Sequence, residues 1–293
     1  MPVIDARAEI AIQTILLATD FSATSEKAAV YAKALARRFQ STIELTHVVD
    51  LSSVAPSEVA LVGMSVDEIS RESEEKLELL LSQFSGLEAK TRMVEAFSPV
   101  DALLKQAEDS GIDLIVMGTT AKHGLEKRIV GSTAEAIIRK ATCPVLTVGP
   151  HVVDLPQDLL AFRTIVYATD FSASAAKAAI YALSFARDSG AHLYFCHVLG
   201  VREPNGSEKL ILEKSFERSL NMLIPPSAYD WCSPECVIVH GDSAEAILGL
   251  AERVQADLIV LGARKASFWL RYVENGLTPE ILSGAKCPVL TVC

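Results

Sequence analysis

Thr14-Ile-Leu-Leu-Ala-Thr-Asp-Phe-Ser22 recurs 150 residues later as Thr164-Ile-Val-Tyr-Ala-Thr-Asp-Phe-Ser172. Aligned without gaps from residue 14 and from residue 164, the two copies are identical at 17 of 36 positions. Further along, Asp113-Leu-Ile-Val-Met-Gly118 matches Asp257-Leu-Ile-Val-Leu-Gly262, and Cys143-Pro-Val-Leu-Thr-Val148 matches Cys287-Pro-Val-Leu-Thr-Val292. The offset is now 144, so the second copy is six residues shorter, and the difference falls between about residues 50 and 112. Surface loops absorb such a change at small entropic cost. A repeat of this length is a whole domain, too long for one unit of a solenoid. We therefore expect two domains, residues 1–150 and 151–293, with a proline-bearing linker near 151–162.

Within each copy, apolar runs alternate with helical periodicity. Thr14–Thr19 is a short, almost wholly apolar run that reads as a buried strand. The helix after it places Ala28, Ala29, Ala32, Leu35 and Ala36 on one side. Further strands are expected at 43–49, 90–95, 113–118 and 144–148, with helices at 66–84, 99–109 and 132–140. The second copy follows the same plan. Continuous apolar strands separated by helices indicate a parallel sheet covered on both faces, so the fold class is α/β, doubly wound, five strands per domain.

Composition narrows the function. Half the residues are hydrophobic and the formal net charge is −10. Sequence-independent nucleic-acid binding needs a positive surface that displaces counterions, which an acidic chain lacks. No apolar run approaches the ~20 residues of a membrane span, and no secretory leader is visible, so a cytoplasmic protein is expected. Cys232, Cys236 and His240 fit no standard zinc spacing, and no metal site is assigned. His47 and His197 recur at equivalent strand ends without a paired nucleophile, the pattern of a hydrogen-bonded structural histidine.

Open doubly wound sheets bind ligands outside the carboxyl ends of their strands, where strand order reverses. Three segments meet there: the turn Ala18-Thr19-Asp20, the strand end at Val48, and the loop that leaves Met117, Gly118 and Thr119. That loop runs through Gly124 to Gly131-Ser132-Thr133 and feeds a helix. Helix N-termini offer unpaired N–H groups and partial positive charge, Gly131 removes a side chain from the approach, and Ser132 adds a hydroxyl. An anion site follows from this chemistry. The helix after Thr19 starts at Asp20 or Ser22, and Asp20 and Asp170 also read as helix N-caps.

The Thr-Asp-Phe-Ser turn, the His-Val-Val strand end, the Gly118 loop and the Cys-Pro-Val-Leu-Thr-Val ending together resemble the universal stress protein family, twice in one chain. That resemblance implies two tandem Rossmann-like, adenine nucleotide alpha hydrolase-like domains. It also implies ATP, with Mg, as the ligand of the N-terminal copy. Gly118, Gly131 and Ser132 match the family's G-x-x-G-x9-G-[ST] motif, whereas Ala121 stands at the second glycine. By the same resemblance Asp20 binds the adenosine part, Val48 contacts adenine through its backbone, and Met117 lines the pocket. In the second copy Asp170, Val198 and Gly262 match, while Lys265, Asn275 and Gly276 replace the rest of the motif. Arg264, Lys265 and Arg271 there are either side-chain phosphate ligands or a solvated loop. The family's dimer pairing through its last strand implies that the two copies pair within one chain, and leaves a homodimer open. Slow ATP hydrolysis and a nucleotide-free interaction protein stand as alternatives, since no second acid is placed for phosphoryl transfer.

Overall fold

The computed structural model describes residues 10–52, 66–119, 131–153, 162–200, 207–262 and 277–293. In the first half the order is β1 (Thr14–Ala18), α1 (Ala23–Phe39), β2 (Thr42–Asp50), α2 (Val66–Ser82), β3 (Ala89–Ala96), α3 (Pro99–Asp109), β4 (Leu114–Gly118), α4 (Ser132–Lys140) and β5 (Val145–Val148). In the second it is β6 (Thr164–Ala168), α5 (Ala173–Ser189), β7 (His192–Leu199), α6 (Ser207–Asn221), β8 (Ser233–His240), α7 (Ser243–Arg253), β9 (Leu258–Gly262), α8 (Leu277–Gly284) and β10 (Val289–Val292). A 3-10 turn at Pro226–Asp230 precedes β8 and was not expected from the sequence.

All ten strands join one sheet in the order β3-β2-β1-β4-β5-β10-β9-β6-β7-β8. Within each domain every pairing is parallel. The chain winds outward from β1 through β2 to β3, then returns past β1 to β4 and β5. The switch in direction lies between β1 and β4, the position where such sheets hold ligands. The domains meet where β5 pairs antiparallel with β10, Leu146 facing Leu290. Because that one pairing is antiparallel, the carboxyl ends of β1 to β5 and of β6 to β10 point to opposite rims of the sheet.

Alternating side chains in strands face opposite layers. Ile15, Leu17, Leu146, Val148, Ile165, Tyr167 and Leu290 join one apolar layer, shared with the buried faces of α1, α2 and α5. Leu16, Ala18, Met117, Val145, Val166 and Val289 join the other, shared with α3, α4, α7 and α8. Both layers cross the domain seam, so the halves share their cores. Arg38 of α1 donates to the Phe185 carbonyl at 3.3 Å, its guanidinium lying 5.2 Å from the centroids of both Phe39 and Phe185. Among the described residues no helix is long and apolar enough to cross a membrane.

Residues 44, 46 and 106 break the duplication. Gln106 Nε2 donates to Glu44 Oε2 at 2.8 Å and to Thr46 Oγ1 at 2.9 Å, while Lys90 lies 2.6 Å from Glu44 Oε1. Burial works to raise the Glu44 pKa, but Lys90 and Gln106 hold it below its ordinary value. At the repeat offsets of 150 and 144, the second domain has Tyr194, Cys196 and Leu250 instead.

Candidate functional site

The turn after β1 is built by its own side chains. Thr19 N–H donates to the Thr46 carbonyl of β2 at 2.9 Å, continuing the ladder one residue past β1. Thr19 Oγ1 then accepts from Phe21 N–H at 3.0 Å, and Asp20 Oδ1 accepts from Ser22 N–H at 3.0 Å. Phe21 sits in the left-handed region, φ 59°, at a cost of about 1–2 kcal/mol for a residue with a Cβ. Its ring packs on His47 at 4.5 Å between centroids, and His47 Nδ1 lies 2.8 Å from the Thr19 carbonyl. A carbonyl only accepts, so Nδ1 carries the proton. Burial lowers the His47 pKa, against the opposing pull of the Thr19 carbonyl and Asp20.

Ser22, not Asp20, caps α1: its hydroxyl accepts from Ser25 N–H. The N-cap reading of Asp20 is thereby corrected. Asp20 instead closes the turn two residues before the helix and accepts a hydrogen bond from the Ser25 hydroxyl. Both contacts fall on Oδ1; Oδ2 makes none among the described residues. Withdrawal from water raises the Asp20 pKa, but the hydrogen bonds of Ser22 and Ser25 outweigh it and hold the carboxyl below its ordinary value. Asp20 is exposed at the rim as a carboxylate.

Neighbouring strand ends frame this carboxylate. In a parallel ladder alternate residues of a strand address alternate neighbours. The Thr46 carbonyl is taken by Thr19, so Val48, two residues on, directs its backbone groups to the same side, where β1 has turned away. Ala18, Met117 and Val48 all lie on the layer of α3 and α4, and Met117 pairs with Ala18 across the switch point. Gly118 abuts the start of α1: a Cβ there would lie 2.6 Å from Ser25 N and from Thr24 C. The first motif glycine is thus required by packing. Thr119 is buried, its N–H donating to the Val148 carbonyl at 2.9 Å. Gly124 and Ala121 lie outside the described residues.

On the far side, α4 begins at Ser132 with Gly131 as its N-cap, φ −56° and ψ 135°, and among the described residues no side chain caps it. That backbone is open to any residue, so glycine is not needed here for its conformation. As a glycine it brings no side chain of its own to the first N–H groups of α4. Ser132 is exposed, and Thr133 is half-buried beside it. Together the site offers a carboxylate, an open strand edge and an uncapped helix start.

The second domain repeats the first half of this construction. Phe171 N–H donates to Thr169 Oγ1 at 2.9 Å, Ser172 N–H to Asp170 Oδ1 at 2.9 Å, and His197 Nδ1 lies 2.7 Å from the Thr169 carbonyl. Phe171 again has φ 59°. Ala175 stands in the place of Ser25. Val198 occupies the place of Val48, by the same parity from Cys196, whose carbonyl accepts Thr169 N–H at 2.9 Å. Phe216 stacks on His197 at 4.4 Å, where the first domain sets Lys76 over Phe21 at 5.7 Å. Gly262 also abuts a helix start, a Cβ there falling 2.3 Å from Ala175 N. Arg264, Lys265, Phe268, Trp269, Arg271, Tyr272, Asn275 and Gly276 lie outside the described residues. His240 pairs with Glu213 at 3.0 Å, and Cys232 and Cys236 are thiols outside any disulfide, the first buried and the second half-buried.

The expected structural role of His47 and His197 is found, each hydrogen-bonded to the turn, whereas sequence reading missed Ser25 and Phe21 as builders of it. The signal was present, since Phe and His recur at both offsets, but no spacing rule links residues 21 and 47. Asp113 and Asp257 were also missed: each accepts two backbone N–H groups at the start of the first strand, Asp113 from Gln13 at 2.7 Å and Thr14 at 2.9 Å.

Comparison with known proteins covers nearly all of the chain. A family model described as "Universal stress protein family" matches residues 11–149 and again 161–292. Universal stress protein MJ0531 of Methanocaldococcus jannaschii is 36% identical over 138 residues, which is 46% of this chain and 80% of the relative. Universal stress protein MJ0577 of the same organism is 30% identical over 150 residues, 46% of this chain and 93% of the relative. A universal stress protein structure from Archaeoglobus fulgidus covers 96% of this chain, and the chain covers 97% of it, with a TM-score of 0.73 at 21% identity; it supports the fold.

Proposed function

The chain belongs to the universal stress protein family, with two family domains in tandem, and from that premise we propose that its N-terminal domain binds ATP as a nucleotide-responsive module. The observation that carries the reading is the uncapped start of α4 at Gly131, on the same domain as the Asp20 carboxylate and the open Val48 edge. Val48 backbone groups would take the adenine edge, Asp20 Oδ2 the ribose hydroxyls, and the first N–H groups of α4 with the Ser132 hydroxyl the phosphates. These donors and acceptors fit the ligand: a carboxylate suits hydroxyl donors, and a helix N-terminus suits phosphate. Magnesium carried with the nucleotide would offset phosphate charge beside Asp20. In the second domain the adenosine side is retained, and the first domain is the proposed sensor.

Calorimetric titration of the full chain with Mg-ATP tests this. One site per chain is expected. Ser132→Ala removes a hydrogen bond to a charged group, worth about 1.5–3 kcal/mol, so affinity should fall about 10- to 150-fold. Two sites per chain, or unchanged affinity in Ser132→Ala, would overturn the assignment to the first domain.

A further inference from the structure

The seam between the domains carries two thiols at one end and one at the other. Val145 faces Thr291 at the end of the antiparallel pairing; Cys143 lies two residues before Val145 and Cys293 two residues after Thr291, at the same end of the seam. Both side chains are half-buried and pack against the same apolar layer, so they leave the sheet on one face. The thiols are close enough to influence each other electrostatically, together with Asp113. Opposed residues of an antiparallel pair have Cα atoms about 4.5–5.5 Å apart, so segments leaving the same end of the pair start within the ~4.4–6.8 Å that a disulfide spans.

The backbone of Cys293 is held in place, its carbonyl accepting from Lys177 Nζ of α5 at 3.1 Å, and its thiol donates to the Ile138 carbonyl of α4 at 3.3 Å. At the other end of the seam the matching positions are Cys287 and Gly149. A Cβ at Gly149 would lie 2.9 Å from the Leu282 carbonyl, so that position excludes a cysteine. The thiol pair therefore occurs once, on one side of an otherwise twofold seam. None of the six cysteines is in a disulfide.

We propose that Cys143 and Cys293 form a disulfide clasp across the domain seam by exchange with a low-molecular-weight disulfide. The Cys293 thiolate attacks one sulfur of the small disulfide, forming a mixed disulfide and releasing one small thiolate. Cys143 then loses its proton to solvent and attacks the Cys293 sulfur, releasing the second small thiolate. Two protein thiols are oxidised and one small disulfide is reduced to two thiols. Burial pushes the Cys143 thiol up to about 11, which lowers its thiolate fraction and makes the second step the slow one, carried by its intramolecular proximity to the mixed disulfide. The clasp ties the end of β10 to the start of β5, and removes the S–H that Ile138 accepts on α4.

Incubating the reduced full chain with glutathione disulfide under native conditions tests this. The expected product is two hydrogens lighter, with its unfolding midpoint raised and restored by dithiothreitol. A non-reduced tryptic digest should join the peptide holding Cys143 to the one holding Cys287 and Cys293. The link should vanish in Cys293→Ser and persist in Cys287→Ala. A stable glutathione adduct at Cys293, no loss of thiols, or a link that survives Cys293→Ser would each overturn the proposal.

Discussion

Replacing Gly262 by Ala separates what the first motif glycine does for packing from what it does for a ligand. The added Cβ would sit 2.3 Å from Ala175 N, 2.6 Å from Ala175 Cα and 2.6 Å from Ser174 C, where ordinary contact begins at 3.4 Å. All three are backbone atoms, so no rotamer change relieves the overlap. Either β9 or the start of α5 must move by roughly 1 Å, and overpacking of a dense interior costs about 1–3 kcal/mol. The rigidity of both partners places this case at the upper end. At about 2–4 °C per kcal/mol for domains of 150–250 residues, the midpoint should fall by roughly 6–12 °C. Thermal unfolding of the full chain followed by circular dichroism reads this directly. Mg-ATP titration of the same variant, at a temperature where it is folded, should match the parent, since the proposed site lies in the other domain. Gly118→Ala, with its Cβ 2.6 Å from Ser25 N, should lose similar stability and also weaken nucleotide binding, because the displaced turn carries Asp20. A midpoint within about 1 °C of the parent for Gly262→Ala would refute the packing argument.

Two titrating side chains give further tests. The folded pKa of His47 lies below its ordinary 6.5, so its contribution to stability is present above pH 6.5 and is lost as pH falls toward the folded value. His47→Gln should flatten that part of the stability profile, and a denaturant series in that window would show whether it does. Glu44 also titrates below its ordinary 4.5, held there chiefly by Lys90 and Gln106 against burial; its contribution is present above pH 4.5 and disappears in acid. Lys90→Ala should cost about 1 kcal/mol, low for a charged hydrogen bond because Lys90 is largely exposed. The difference from the parent should vanish as Glu44 protonates, and a difference that is independent of pH would contradict this account.

Much of the site was legible because it is local. Ser98 and Ser22 cap their helices as serines before an apolar period do, and the strands follow their apolar runs to within a residue or two. Asp20 was misread as a potential cap because the spacing of Asp and Ser before α1 suits either residue. The choice depends on Phe21 entering the left-handed region, which no glycine announces and which the His47 ring supports from a strand 26 residues away.

The duplication of Thr14–Ser22 at 164–172, with the apolar runs that follow each copy, determined two α/β domains of alternating strands and helices. Periodicity records which side each residue buries, and burial dominates folding. Tertiary structure alone decided the rest. It set Gly118 and Gly262 against helix starts, gathered Glu44, Thr46 and Gln106 into one buried network, and fixed the β5–β10 pairing that brings Cys143 and Cys293 to one end of the seam. Those pairings join residues distant in the chain, and their distances follow from how layers pack, which no local pattern encodes.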